Sequence, residues 1–228
     1  MNSETGFLLI HGFGGNIGEL EPLSKYLESS GYLVISTELK GHTGNRKDLA
    51  GVSHDDWIFS AEESYEKLAA ECDSVIIVGF STGGLIAVNL AIRHQVKALI
   101  TVATPIYVWD IKHVLRNMTK GTKHQNLENL KWYFYSATSF PPSSLFHFQI
   151  LLHKTKSMLK HIKCPILILQ GIDDDTVNSR SASYIYNNVS SEIKKIYFFE
   201  KSGHVVFKGA SSEEAICKIE EFLHMELI

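Results

Sequence analysis

Six short apolar runs constrain the fold of this chain more than any other feature. They lie at residues 7–10, 32–35, 74–78, 98–102, 166–169 and 196–199. They are rich in Val, Ile, Leu, Phe and Tyr, and they do not alternate with polar residues. Strands of this kind are buried on both faces, as in a parallel sheet that is covered by helices.

The segments between these runs show helical patterns. Leu20, Leu23 and Leu27 share one helix face, Ser53 can cap the next helix, and Ile219 and Leu223 face inward in the last one. Strand–helix alternation predicts an α/β fold, a mostly parallel sheet of about six strands flanked by helices.

Composition favours a single compact domain with a substantial core. The chain has 228 residues, 44% of them hydrophobic, and a formal net charge of −3. Lys and Arg are scattered, so no nucleic-acid partner is expected, and no apolar run is long enough for stable membrane insertion. Cys72, Cys164 and Cys217 are far apart, which argues against a disulfide framework or a zinc site and favours a cytoplasmic location.

One stretch interrupts the alternation of strands and helices. The connection between the runs at 98–102 and 166–169 is far longer than a normal crossover, and it is rich in aromatic residues. We therefore expect residues 106–160 to form a helical cap inserted into an α/β core of residues 1–105 and 161–228. Its apolar composition predicts that it lines the substrate site, with Ile106 and Trp109 as contacts.

A serine lies on a glycine-rich turn between a strand and a helix. Gly79-Phe80-Ser81-Thr82-Gly83 follows the apolar run at 74–78 and precedes a helical segment. This is the context of a nucleophile elbow, in which a sharp turn presents the serine hydroxyl at the carboxyl end of the strand. Glycines two residues to either side avoid a steric clash at the turn. The pattern predicts that Ser81 is a catalytic nucleophile.

A second glycine-rich loop, HGFGG at residues 11–15, follows the first predicted strand. Such a loop can turn a backbone N–H toward the nucleophile, and the residue after the nucleophile supplies a second donor. The N–H groups of Phe13 and Thr82 are therefore the expected oxyanion hole. His11 is expected to be structural, because the donors are backbone groups.

The remaining catalytic groups are expected after the last two strands. Asp173, Asp174 and Asp175 follow the run at 166–169, and His204 follows the last run, with Val205 beside it as a further substrate contact. The order Ser, Asp, His along the chain is the one that a serine hydrolase on this type of sheet requires.

The motifs HGFGGN, GFSTGG, GIDDDTVN and SGHVV together resemble those of the small bacterial carboxylesterases and monoacylglycerol-lipase-like enzymes of the α/β-hydrolase superfamily. The resemblance covers nearly the whole chain. In that family the acid is the D of a G-x-x-D-x-x-V pattern, whose positions are filled here by Gly171, Asp174 and Val177, so the resemblance implies Asp174. The first two strands of the full fold are expected to be absent.

The sequence thus predicts a serine hydrolase that cleaves small-molecule carboxylic esters, either short- to medium-chain acyl esters or monoacylglycerols, through an acyl-enzyme. No metal or organic cofactor is needed, and a monomer or small homo-oligomer is expected. The same triad can also cleave an amide, a lactone or a C–C bond, or transfer the acyl group, because the fold does not fix the reaction. A non-catalytic ligand-binding module is a further alternative.

Overall fold

The computed structural model of the protein describes residues 3–107 and 140–226. Within these residues, six strands form one all-parallel sheet with the order β2-β1-β3-β4-β5-β6. The strands are β1 (Ser3–Ile10), β2 (Leu33–Thr37), β3 (Cys72–Phe80), β4 (Ala98–Val102), β5 (Ile166–Gly171) and β6 (Lys194–Phe199). Each apolar run of the sequence overlaps one strand, so the predicted α/β sheet is confirmed.

Helices cover both faces of the sheet. They are α1 (Glu21–Ser29), α2 (His54–Ala69), α3 (Thr82–Arg93), α4 (Pro142–Met158), α5 (Arg180–Asn188) and α6 (Ser212–Glu226). Residues of α1 and α6 pack on one face, and residues of α2 to α5 pack on the other. Ser53 caps α2 as predicted, in a reciprocal capping box with Asp56.

The two faces of the sheet are visible in the burial of β1. In β1, Leu8 and Ile10 join the core on the α2–α5 face, while Phe7 and Leu9 join the core on the α1–α6 face. All four side chains are 0–1% exposed. Neighbouring residues of one strand thus serve two cores, which is why the runs in the sequence lack polar alternation.

The described end of the predicted cap packs into the main core. Leu151 on α4 and Leu159 just after it are buried with residues of α3, and so is Ile106. The helix begins at Pro142, where a proline is compatible with the first turn. The division into a core and a cap at 106–160 stays a prediction, since residues 108–139 lie outside the described part.

None of the helices in residues 3–107 and 140–226 combines the length and the apolar character that a bilayer-crossing segment requires.

Candidate active site

Ser81 lies on the turn between β3 and α3, with φ 52° and ψ −122°. This positive φ is costly for a residue with a side chain, and it is the strain expected of a nucleophile elbow. The Ser81 N–H donates to the Val102 carbonyl oxygen at 2.8 Å, which ties the turn to β4. A Cβ at Gly79 or Gly83 would overlap neighbouring backbone, so the turn needs both glycines.

The structure brings the three predicted triad residues together. His204 Nε2 lies 3.2 Å from Ser81 Oγ, and His204 Nδ1 lies 2.9 Å from Asp174 Oδ2. The imidazole also packs against the Phe80 ring, with 5.0 Å between ring centroids. This chain of hydrogen bonds is the arrangement through which a histidine can take a proton from a serine while a carboxylate orients it.

The loops that carry Asp174 and His204 are joined by backbone hydrogen bonds. The Ile172 N–H donates to the Phe199 carbonyl oxygen and the Asp173 N–H donates to that of Ser202, each at 3.0 Å. Between them, Lys201 adopts a φ of 58°. The ends of β5 and β6 are therefore held side by side, and this places the imidazole against the carboxylate.

Asp174 is buried and fully hydrogen-bonded, whereas Asp173 and Asp175 are exposed. The N–H groups of Thr176 and Val177 donate to Asp174 Oδ1 at 2.9 and 2.8 Å. On the other oxygen, Oδ2, the carboxylate accepts from His204 and also from Gln170 Nε2, at 3.0 Å.

The sequence did not reveal that Gln170 contacts the predicted acid. The signal that could have found it is a polar residue near the end of an otherwise apolar, fully buried strand, four residues before the predicted acid. Buried polar side chains are usually there to meet a partner.

The loop at residues 11–15 lies beside the nucleophile. A Cβ on Gly12 would stand 3.1 Å from Ser81 Cβ, and the Gly12 N–H already donates to Glu19 Oε2 at 2.9 Å. The next N–H along the loop belongs to Phe13. Thr82 is the first residue of α3, where the N–H has no carbonyl partner inside the helix. Their role as oxyanion donors stays a prediction.

Glu19 is a second residue that the sequence did not reveal. Burial raises the pKa of its carboxyl, and the Gly12 N–H, His204 and Lys208 oppose that shift. By accepting from Gly12, the carboxylate fixes the start of the glycine-rich loop to the short 3-10 helix, Ile17–Glu19, that precedes α1. No motif spacing connects it to that loop, so only the folded structure shows the contact.

His11 bridges two segments of the core. Its Nδ1 donates to the Gly12 carbonyl oxygen at 2.9 Å, and its Nε2 accepts from the Leu39 N–H at 3.3 Å. Burial lowers the pKa of His11 to about 4, so the ring is neutral at pH 7. It holds the loop in place and makes no contact with the triad among these hydrogen bonds.

An aromatic cluster adjoins the loop that carries the predicted oxyanion donor. The ring centroid of Phe13 lies 4.7 Å from that of Phe140, and 5.6 Å from those of Phe148 and Trp57. The Arg46 guanidinium lies over the Phe140 ring, 4.4 Å from its centroid. The cluster gives this side of the site an apolar wall that joins the core to the described end of the predicted cap.

The three predicted substrate contacts have different outcomes. Ile106 is 4% exposed and belongs to the core on the α2–α5 face. Val205 is half-buried and packs against the core on the α1–α6 face. Trp109 lies outside the described residues. Val205 is the chain neighbour of His204 and therefore lies beside the triad. Contact of these three residues with a substrate stays a prediction.

In the part of the chain that the structure describes, no group of three or more His, Cys, Asp or Glu side chains is placed to hold a metal ion. The chemistry that this site can carry out is nucleophilic attack by a serine hydroxyl, with proton transfer through a histidine.

Comparison with known proteins agrees with this geometry. Residues 6–147 match the family described as alpha/beta hydrolase fold. The chain is 31% identical to a thermostable monoacylglycerol lipase of Bacillus sp. (strain H-257), over 90% of this chain and 84% of that protein. It is 26% identical to a carboxylesterase of Bacillus subtilis (strain 168), over 96% of this chain and 92% of that one.

Among solved structures, one of the metagenome-derived lipolytic enzymes LipS and LipT matches with a TM-score of 0.81 at 20% identity, covering 98% of this chain and 95% of that one. At that level of identity the likeness concerns the fold. The family match and the Bacillus relatives confirm the resemblance that the motifs suggested. The chain belongs to the α/β-hydrolase family.

Proposed function

We propose that the protein is a serine ester hydrolase that cleaves short- to medium-chain acyl esters or monoacylglycerols. The observation that carries this proposal is the hydrogen-bonded chain Ser81–His204–Asp174, in which Ser81 stands on a strained strand-to-helix turn. The names of its Bacillus relatives, a monoacylglycerol lipase and a carboxylesterase, support the choice of bond.

The reaction begins when Ser81 Oγ attacks the ester carbonyl carbon and His204 Nε2 takes its proton. The carbonyl oxygen becomes an oxyanion, which accepts hydrogen bonds from the N–H groups of Phe13 and Thr82. The tetrahedral intermediate then collapses, the C–O bond to the alcohol breaks, and the alcohol leaves with the proton from His204.

Water completes the cycle. It loses a proton to His204 as it attacks the acyl-Ser81 carbonyl carbon. The bond between that carbon and Ser81 Oγ then breaks, the acid is released, and His204 returns the proton to Oγ. Asp174 accepts from His204 Nδ1 and stabilises the imidazolium that forms in each half-reaction.

The acyl group is proposed to lie along the partly buried rings of Phe13, Phe140 and Phe148, while Trp57, which contacts Phe13, is fully buried. Phe13 belongs to the loop whose N–H would bind the oxyanion, and the other two rings pack against it, which supports this side as the place of an alkyl chain attached to the carbonyl carbon. An apolar wall stabilises bound methylene groups by about 0.8 kcal/mol each.

The cytoplasmic location stays a prediction, supported by the three unpaired cysteines.

The decisive test is Ser81→Ala, measured with nitrophenyl esters and monoacylglycerols across acyl lengths. The rate of hydrolysis should fall by about 10⁴- to 10⁶-fold, because the nucleophile is removed. Labelling by a fluorophosphonate should disappear, and the thermal unfolding midpoint should change little. Release of free acid in the presence of an added alcohol would separate hydrolysis from acyl transfer.

A matched control is Ser179→Ala, since Ser179 stands just before α5 with no side-chain hydrogen bond to that helix. It should keep both turnover and labelling. A folded Ser81→Ala protein with turnover close to the wild type would overturn the proposed function.

A further inference from the structure

Gln170 is a fully buried polar residue that contacts Asp174, the aspartate of the proposed triad. It is the second-to-last residue of β5 and is 0% exposed. Its Nε2 donates to Asp174 Oδ2 at 3.0 Å and to the Gly171 carbonyl oxygen at 3.1 Å. Turning the amide over would bring its oxygen against a carboxylate oxygen, so this orientation is the favourable one.

Asp174 does not need Gln170 to stay in place. Oδ1 is already anchored by the backbone N–H groups of Thr176 and Val177. Gln170 instead donates to Oδ2, the same oxygen that accepts from His204 Nδ1. Two donors on one oxygen share its negative charge, so the Gln170 amide weakens the attraction between Asp174 and a protonated His204.

The glutamine at this position carries an energetic cost beside its two hydrogen bonds. Among the described residues, Gln170 Oε1 is buried without a hydrogen-bond partner. A buried polar atom without a partner is unfavourable, whereas an apolar side chain of the same length would fill the space with no such penalty. The surrounding strand is otherwise apolar, from Ile166 to Leu169.

We propose that Gln170 is a positioning residue that acts through Asp174, limiting the strength of the Asp174–His204 hydrogen bond so that His204 remains a neutral base at lower pH. This inference rests on the proposed function, because it takes Asp174 and His204 as parts of the triad. Glu19 also interacts electrostatically with His204, and Lys208 with Glu19. Both stay constant when only residue 170 is changed.

The test is Gln170→Met, which keeps the length of the side chain and removes the donor. The acidic limb of the pH profile of kcat/KM should move to higher pH by about half a unit to one unit, a loss of about 3- to 10-fold below the limb. The plateau at higher pH should stay within about 3-fold of the wild type. The thermal unfolding midpoint should change little, because the unpartnered oxygen and the two hydrogen bonds donated by Nε2 are lost together.

The matched control is Leu169→Met, a volume-conserving change at a buried neighbour whose side chain belongs to the opposite face of the sheet. It should leave the limb in place. The proposal is overturned if the Gln170→Met limb coincides with that of Leu169→Met or moves to lower pH. If Gln170→Met does not fold, Gln170→Leu serves as the second variant. Its limb should also move upward, because leucine likewise has no donor for Asp174 Oδ2.

A readout without substrate separates this proposal from the proposed function. The His204 ring is titrated by NMR in the wild type and in Gln170→Met, with His204→Gln identifying its signals. The titration midpoint should rise in Gln170→Met. A wild type that titrates in this way but cleaves no ester would overturn the proposed function alone, and an unchanged midpoint would overturn the role of Gln170 alone.

Discussion

At the scale of single residues, burial distinguishes three consecutive acids. Asp174 is 4% exposed and accepts four hydrogen bonds, while Asp173 and Asp175 face solvent. A carboxylate in contact with solvent cannot hold an imidazole in one orientation as a buried, anchored one can.

We therefore expect Asp174→Asn to lower kcat by about 10⁴-fold, the effect of losing the orienting carboxylate in serine proteases. Asp173→Asn and Asp175→Asn make the same chemical change at exposed neighbours and should stay within about 3-fold of the wild type. Steady-state hydrolysis of a nitrophenyl ester measures all three variants. Equal losses at Asp173 or Asp175 would refute the choice of acid.

The site residues that the sequence predicted are those that belong to a recognisable local pattern in the chain. Ser81 stands in a turn that needs glycines two positions to either side, and Asp174 fills a spacing shared with a family. Gln170 and Glu19 belong to no such pattern, because their partners come from the folding of the sheet edge and of the loop before α1. Spacing rules reveal residues whose neighbours in space are also neighbours in the chain.

At the scale of secondary-structure elements, polar contacts attach α4 to its two neighbours. Asn89 on α3 donates to Thr155 Oγ1 on α4 at 2.9 Å, and both residues are buried. On α2, His54 Nε2 accepts from Lys154 Nζ at 2.9 Å, and His54 Nδ1 lies 3.2 Å from His147 Nδ1. The contact with Lys154 requires a neutral His54, because an imidazolium has no free acceptor.

This contact should make the attachment of α4 to α2 sensitive to acid. Burial lowers the pKa of His54, Asp55 opposes that shift, and Lys154 and His147 add to it. A lowered pKa means that the contact contributes fully above the ordinary value of about 6.5 and is lost as the pH falls. Amide hydrogen exchange in α4, corrected for its intrinsic pH dependence, should therefore accelerate several-fold between pH 7.5 and 5.5.

His54→Gln supplies an acceptor for Lys154 that does not titrate. In that variant the additional exchange of α4 at pH 5.5 should disappear. Helix α5, which makes neither contact with His54, serves as the internal reference in both proteins. Exchange in α4 that accelerates equally in His54→Gln would mean that another group carries the acid sensitivity.

The elements themselves were largely predictable. Unbroken apolar runs marked all six strands, and Leu23 and Leu27 marked the buried face of α1. The region after Ile106 is harder to predict, because its aromatic residues show no single period. At its described end, Leu151 and Thr155 are both 0% exposed against the helices of the α2–α5 face, and the division into a core and a cap stays a prediction.

At the scale of the whole molecule, His11, His42 and His54 are, among the described residues, less basic in the folded protein than in the unfolded chain. Burial lowers the pKa of His11 to about 4, and it also lowers the pKa of His42 and His54. The unfolded chain therefore binds more protons below pH 6.5, so acid favours unfolding. The contribution of His11 alone is on the order of 3 kcal/mol, lost as the pH falls from about 6.5 to 4.

We expect the free energy of unfolding, measured in urea at pH 7 and pH 4.5, to be clearly smaller at the lower pH. His11→Asn should reduce that difference, because its side-chain amide can still donate to the Gly12 carbonyl oxygen and does not titrate. His153→Asn, at an exposed position of α4, is the control and should leave the difference unchanged. If His11→Asn behaves like His153→Asn, the acid sensitivity arises elsewhere.

The class of the sheet followed from the sequence, but the order of its strands did not. Each apolar run predicts a strand that is buried on both faces, but its residues do not indicate which other strands it pairs with. In the order β2-β1-β3-β4-β5-β6, β3 pairs with β1 on the side opposite β2, so that β2 lies at the edge of the sheet. That choice depends on how the crossover helices pack, which is a property of the folded chain.

The strand order also determines when the site can exist during synthesis. Ser81 and the loop at residues 11–15 leave the ribosome with β1 to β3, well before Asp174 and His204 follow β5 and β6. Because β5 pairs with β4 and β6 pairs with β5, these two side chains reach the serine only after the second half of the sheet has been added. A nascent chain that ends before β6 therefore carries its serine without the histidine proposed as its base. If that proposal holds, translation of His204 sets the earliest moment at which the protein can act on an ester.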